Sequence, residues 1–135
     1  MKKVLVSSIT TLCIFFVSTA FLQKYDLAKS IERGKGVYTT FCMNCHMQNG
    51  KDTLGVYPPL SKSDYLKRSS DTLINIVLEG QSGEIVVNGK TYNGQMLPQN
   101  YLSDEQIADV LNYVRNSWGN KMAAITPPQV QALRK

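Results

Sequence analysis

The segment that most constrains this chain is residues 42–46, Cys-Met-Asn-Cys-His. Two thiols three positions apart, followed at once by an imidazole, have the spacing at which a c-type haem is attached. Each thiol can add across one vinyl group of the porphyrin, and the adjoining histidine is then held under the iron as an axial ligand. The motif predicts one covalently bound haem c, attached through Cys42 and Cys45, with His46 as a metal ligand.

Three other interpretations of the motif are a structural disulfide, a thioredoxin-like dithiol and half of a zinc site. Zinc needs four ligands at paired spacings, but His46 is the single histidine and the third cysteine, Cys13, lies far upstream in an apolar run. A thioredoxin-like dithiol follows a strand in a βαβ pattern, and no such strand is predicted before Cys42. The residues therefore favour haem attachment.

The first twenty residues have the pattern of an export signal. Lys2 and Lys3 precede an uncharged run from Val4 to Leu22, and residues 18–20 are small enough for cleavage. The run is also about 20 residues long, the length that crosses a bilayer, so an uncleaved membrane anchor is the alternative. We expect a periplasmic or otherwise exported protein whose only membrane contact is through residues 1–20.

The charge balance argues against a nucleic-acid partner. Without Lys2 and Lys3, 13 basic and 10 acidic side chains remain, a formal charge of +3. The basic residues form no dense run with interleaved aromatic residues, as nucleic-acid-binding segments have. Mild charge complementarity with a protein partner is the better interpretation.

Hydrophobic periodicity predicts a mainly helical domain over residues 26–120. A first helix from Asp26 to Phe41 runs into the cysteines, and residues 47–61 form a loop. A second helix is capped by Ser70 and stops at Gly80, and a third begins with a capping box at Ser103 and continues past Trp118 to Gly119.

Two further elements are predicted around this helical frame. Residues 84–93 alternate around Asn88-Gly89, which is a strong hairpin signal. Residues 121–135 are expected to form a C-terminal tail in which Thr126-Pro127 opens a short helix. The fold class is thus all-α, with three to four helices around one covalent haem and a short β-hairpin. A buried macrocycle would enlarge the small apolar core, and we expect a poorly folded chain without it.

The chain resembles the class I c-type cytochromes over roughly residues 30–120. In that family a small residue and an aromatic residue on the first helix pack against an aromatic residue on the last helix. Gly34, Tyr38 and Tyr113 occupy the matching places. The resemblance implies a small cytochrome c fold and the function of an electron carrier.

The resemblance also assigns the loop around Pro58. Similar proteins place a proline carbonyl so that it accepts the distal N–H of the ligand histidine, and the segment 55–60 looks like that loop, with Pro58 as the nearer match of Pro58-Pro59. A rigid turn is the structural alternative. Leu60, in the same segment, is a candidate haem contact.

The second axial ligand is expected to be the thioether of Met96, because the chain has no second histidine. Met96 lies fifty residues beyond His46, in what is predicted to be an irregular loop after the hairpin. This segment looks like the family's distal Met-Pro loop, although here Leu97 stands between the methionine and Pro98. The other methionines lie in the export signal, beside the attachment site or after the last helix: Met1, Met43, Met47 and Met122.

With both axial positions filled, the expected function is to relay single electrons at a relatively high potential, without catalysis. The expected partners are exported redox proteins such as a dehydrogenase, a reductase or a terminal oxidase. Two alternatives are a five-coordinate haem protein with peroxidase or gas-binding activity, and a haem subunit of a larger oxidoreductase.

Overall fold

The computed structural model describes residues 25–52 and 55–135. The predicted export segment, residues 1–20, lies outside this range. In the described part, none of the helices has the length and apolarity needed to cross a membrane. Its elements are five α-helices, one 3-10 helix and one antiparallel hairpin: α1 (Leu27–Phe41), α2 (Met43–His46), the 3-10 helix (Asp64–Lys67), α3 (Ser70–Glu79), β1 (Gln81–Val87), β2 (Lys90–Met96), α4 (Asp104–Arg115) and α5 (Pro127–Leu133).

Helix α1 packs closely against α4 through one glycine. Asp26 caps α1 by accepting a hydrogen bond from the Lys29 backbone N–H, and the buried positions recur every four residues at Ser30, Gly34 and Tyr38. A Cβ atom at Gly34 would overlap the Asp109 carbonyl of α4. The predicted close approach of the first and last helices of the domain is therefore confirmed at Gly34.

We expect Gly34→Ala to destabilise the holoprotein by about 1–3 kcal/mol, because the added methyl group forces α1 and α4 apart. Thermal unfolding followed by circular dichroism measures the loss. Gly36→Ala is the matched control, since a Cβ there meets no atom within 4 Å and alanine is the better helix former. Equal melting temperatures for the two variants would contradict the close packing at Gly34.

Helix α4 begins as predicted and ends earlier than predicted. Ser103 and Gln106 form the capping box. The helix stops at Arg115, however, and Asn116 to Gly119 do not continue it. The backbone of Trp118 is left-handed, with φ of 51°, and the Asn120 amide donates hydrogen bonds to the carbonyls of Val114 and Leu60. The polar side chains after Arg115 thus bond to backbone groups in place of helical turns.

A buried polar network joins α1 and α4 to the C-terminal segment. The Asp109 carboxylate is 2% exposed and accepts hydrogen bonds from Ser30 and Arg33. The Asn112 side chain donates to the Ile125 carbonyl and accepts from the Ile125 N–H, at 2.7 Å in each case. Ile125 and Val130 are fully buried, so residues 121–135 pack on the core, and the predicted short helix at Pro127 is present as α5.

The hairpin is longer than its sequence pattern predicts. Asn88 and Gly89 form the two-residue turn with positive φ at both positions, as a type I′ turn requires. Pairing continues beyond residues 84 and 93, through a side-chain-free pair of Gly83 with Gly94, to a last pair of Gln81 with Met96.

Helix α3 leads directly into the hairpin. Its N-cap is Ser69, one residue before the predicted Ser70, and its end at Gly80 is as predicted. The 3-10 helix before it was not predicted. Two reciprocal hydrogen bonds between Asp64 and Asn88 hold that helix to the hairpin turn.

Candidate haem-binding site

The two cysteines and the histidine lie on a tight turn at the end of α1. Cys42 is the C-cap of α1 and the N-cap of α2, and its carbonyl accepts hydrogen bonds from the backbone N–H groups of Cys45 and His46, at 3.2 and 3.0 Å. Both thiols are free, Cys42 half-buried and Cys45 exposed. The short helix therefore presents two thiols and an imidazole within a single turn.

Tyr38 is a buried residue of α1 that bonds to the backbone of this turn. Its ring is 2% exposed and packs 5.3 Å from the ring of Tyr113 and 5.1 Å from that of Trp118, measured between centroids. Its hydroxyl donates to the carbonyls of His46 and Met47, at 3.1 and 2.6 Å. The sequence predicted the packing of Tyr38 against Tyr113, but gave no signal for these hydrogen bonds to the backbone of the attachment segment.

The His46 imidazole is suited to bind a metal. Its Nδ1 is buried and forms no well-aligned hydrogen bond with any described residue. Burial lowers the pKa of His46, and the nearby Pro58 backbone, which raises it, offsets this only in part. The ring is therefore neutral at pH 7, which is the form that binds metals. Pro58 lies beside this ring, where the resemblance expects it.

Tyr57 is a further neighbour of the site. Its ring centroid lies 6.3 Å from that of His46, and an interaction with the Cys45 thiol raises the pKa of the Tyr57 phenol. Tyr57 was not predicted from the sequence. Its position next to Pro58 was the available signal, because a residue adjoining the predicted histidine partner must also lie near the histidine.

The structure argues against two of the alternative interpretations of the motif. Burial raises the pKa of the Cys42 thiol to about 11, with a smaller effect from Cys45, whereas a thioredoxin-like dithiol needs a low pKa and a reactive thiolate. Among residues 25–52 and 55–135, no group of three or more His, Cys, Asp or Glu side chains is placed to hold a metal ion. A zinc site built from such side chains is therefore absent from that range.

The loop after His46 is fixed to the rest of the domain by its backbone. The Gly50 carbonyl accepts hydrogen bonds from the N–H groups of Leu60 and Ser61, both at 2.8 Å. Gly50 lies against the Trp118 ring, where a Cβ atom would come within 2.6 Å of Cε3, and its φ of 62° also favours glycine. Leu60 packs against the buried core. The segment that carries Pro58 is thereby held beside the attachment turn.

Met96 is the last residue of β2, which corrects its predicted position in an irregular loop. The strand extends this far because Met96 pairs with Gln81, directly after α3. Gly80, with φ of 77°, allows the close approach, since a Cβ atom there would collide with the Met96 carbonyl. Beyond the strand, the Gln99 N–H donates to the Val77 carbonyl at 2.8 Å and so returns the chain to α3.

Residues from three segments of the candidate site pack against the hydrophobic core of the domain. Cys42 from the attachment turn, Leu60 from the loop and Met96 from the hairpin all pack against it. Two thiols, a neutral buried imidazole and a half-buried thioether together form the donor set that haem c uses in proteins with histidine and methionine ligands. The residues present fit this cofactor.

Comparison with known proteins agrees with this fit. The family model described as Cytochrome c matches residues 31–118. Cytochrome c-552 of Thermus thermophilus is 35% identical over 122 residues, which are 86% of this chain and 82% of that protein.

Other relatives are subunits of dehydrogenases. The cytochrome c subunit of the quinone alcohol dehydrogenase of Gluconobacter oxydans is 31% identical over 87% of this chain, and the gluconate 2-dehydrogenase cytochrome c subunit of Pantoea cypripedii is 32% identical over 87%. This chain spans only 24% and 29% of those two subunits. On the family match and these identities, the chain belongs to the cytochrome c family and is an electron carrier with a covalently bound haem c.

Proposed function

We propose that the haem is attached through Cys42 and Cys45 and that its iron is ligated by His46 on one side and Met96 on the other. The observation that carries this proposal is the placement of Cys42, Cys45 and His46 on one turn, with the Pro58 loop beside the imidazole and the strand that ends at Met96 packed along that loop. The lowered pKa of His46, which favours the neutral ring, and the Pro58 backbone beside that ring support the proximal assignment.

Haem c, when bound, supplies an iron that changes oxidation state by one electron. His46 and Met96 would hold this iron from the protein, and with both bound no coordination site would remain for a substrate. The soft thioether of Met96 favours the reduced state, and the buried surroundings disfavour the additional positive charge of the oxidised state. We therefore infer a carrier with a relatively high reduction potential.

Pro58 and Leu60 are proposed to act around the proximal histidine. The Pro58 carbonyl accepts the distal N–H of His46 in the holoprotein, which fixes the orientation of the imidazole ring. Leu60 contacts the haem from the same loop, where its backbone is held by Gly50 and Asn120.

The proposed partners are exported redox proteins. Three large apolar side chains near the site are at least 40% exposed, Phe41 before Cys42, Met47 after His46 and Leu97 after Met96. Exposed apolar side chains next to the proposed haem ligands suit brief encounters over a small interface. Residues 1–20 are proposed to direct the chain to the periplasm as a cleaved signal or as an uncleaved anchor.

The optical spectrum of the oxidised holoprotein tests this ligation. We expect the weak long-wavelength sulfur-to-iron charge-transfer band of methionine ligation at neutral pH, and a low-spin spectrum in both oxidation states. A high-spin spectrum without that band would instead indicate a five-coordinate haem with peroxidase or gas-binding activity.

A haem subunit of a larger oxidoreductase is the second candidate function, because several relatives are dehydrogenase subunits. It differs from a free carrier in its partner and not in its chemistry. Gel filtration of protein purified from its native source at low detergent distinguishes the two. A free carrier elutes as a monomer of about 15.1 kDa, the mass of all 135 residues, or less where residues 1–20 are removed, and a subunit elutes with its enzyme.

A further inference from the structure

We propose that Asp52 is a positioning residue for the distal ligand, because its carboxylate ties the loop that carries Pro58 to the strand that ends at Met96. The inference rests on the proposed ligation by Met96 and adds a contact that holds the strand carrying this methionine. Nothing in the sequence pattern identified Asp52.

The Asp52 carboxylate bonds to both segments at once. One oxygen, Oδ2, accepts hydrogen bonds from Lys90 Nζ at 2.7 Å and from the Tyr92 hydroxyl at 3.0 Å, both on β2. The other oxygen, Oδ1, accepts from the Gly55 N–H at 2.9 Å, within the loop. Hydrogen bonds to a charged group are stronger than neutral ones, so Asp52 is the strongest described link between the loop and β2.

One face of β2 lies along the loop that carries Pro58. Side chains alternate along a strand, so Lys90, Tyr92, Gly94 and Met96 share a face of β2. Lys90 and Tyr92 on this face meet Asp52. Two residues further on, a Cβ atom at Gly94 would lie 3.4 Å from the Val56 carbonyl. The same face then reaches Met96.

The loop side of this contact leads to the proximal ligand. Gly55 has φ of 78°, and a Cβ atom there would lie 3.3 Å from Lys90 Nζ, so the backbone of Gly55 lies directly beside the ion pair. Pro58, beside His46, follows Val56 by two residues. Asp52 thus holds together the two chain segments that, in the proposed ligation, lie on opposite sides of the iron.

Such a link has a measurable consequence for the iron–sulfur bond. An added ligand such as imidazole binds ferric haem only when Met96 leaves, so its affinity reports how firmly the strand holds the thioether. A strand tied to the loop resists this displacement. Loss of the Asp52 contact lowers the free energy needed to move Met96 away from the iron. The affinity of the ferric haem for imidazole therefore rises.

The test is imidazole titration of the ferric holoprotein at 25 °C, followed by loss of the sulfur-to-iron charge-transfer band. Asp52→Asn keeps the shape of the side chain and the bond to Gly55 but removes the charge that faces Lys90. We expect imidazole to bind about fivefold more tightly, as suits a partly exposed charge pair. Tyr92→Phe removes a single hydroxyl and is expected to give a smaller increase in the affinity for imidazole. It replaces Asp52→Asn as the test variant if Asp52→Asn does not fold.

Glu84→Gln is the matched control, because Glu84 is an exposed carboxylate on β1 of the same hairpin and has no ion pair among the described residues. Its imidazole affinity is expected to equal that of the wild type. An affinity for Asp52→Asn equal to that of Glu84→Gln overturns the positioning role, even if the melting temperature falls. A charge-transfer band that survives Met96→Ala would overturn the ligation itself, so the two failures are distinguishable.

Discussion

His46→Ala is expected to reduce the yield of mature holoprotein about tenfold or more when the chain is produced with a periplasmic cytochrome c maturation system. The variant lacks the proposed proximal ligand, whose neutral ring lies beside the Pro58 backbone. Without the cofactor, the core of this small domain loses the apolar surface that the macrocycle supplies. Haem staining of denatured protein on gels and the mass of the intact chain measure the yield.

Asn44→Ala is the control for this loss. Asn44 lies within the same motif, is exposed and makes no side-chain hydrogen bond to a described residue, so its removal should leave haem attachment at the wild-type level. Full incorporation of haem into His46→Ala would contradict the proximal role. Loss of haem in both variants would indicate that the attachment machinery reads the whole motif, and not that His46 ligates the iron.

The helical frame and the attachment turn were predictable because their signals are local. The capping box at Ser103 and Gln106 needs only residues three positions apart. The turn at Asn88-Gly89 needs only two residues that tolerate positive φ. For such elements, neighbouring residues in the sequence are also the interacting residues in the structure.

The parts that the sequence did not predict depend on contacts between distant segments. The hairpin extends to Met96 because Gly80 lets the strand approach the end of α3. Helix α4 stops at Arg115 because Asn120 bonds to Leu60, sixty residues away. The Tyr38 hydroxyl reaches two carbonyls of the attachment segment, which no periodicity indicates. Tertiary hydrogen bonds to backbone groups decide these features, and residue type alone does not specify them.

The same division applies to the candidate site. The thiols and the imidazole are contiguous in the sequence, and a motif is sufficient to find them. Met96 was predicted as the distal ligand by exclusion of the other methionines, and its surroundings were predicted wrongly because strand pairing overrides the weak strand propensity of Gly94 and Gln95. Asp52 was missed because a lone carboxylate in a polar loop has no distinguishing pattern.

Met96→Ala is expected to leave the haem attached and to lower the midpoint potential by on the order of 0.1–0.3 V, a fraction of the roughly 0.8 V range that axial ligands span. The thioether favours the reduced iron, and water or another oxygen or nitrogen ligand in its place favours the oxidised iron. Attachment is expected to survive because, in the proposed site, it depends on Cys42, Cys45 and His46. Spectroelectrochemical titration at pH 7 measures the potential, and the charge-transfer band should disappear in the same sample.

Met122→Ala is the matched control, because Met122 is also a half-buried methionine that packs against the same core. Both substitutions remove a thioether and leave a small cavity, so both are expected to lower the melting temperature. Only the loss of Met96 should change the potential and the charge-transfer band. If Met122→Ala lowers the potential and Met96→Ala does not, the distal ligand lies on the segment after α4, and the hairpin does not carry it.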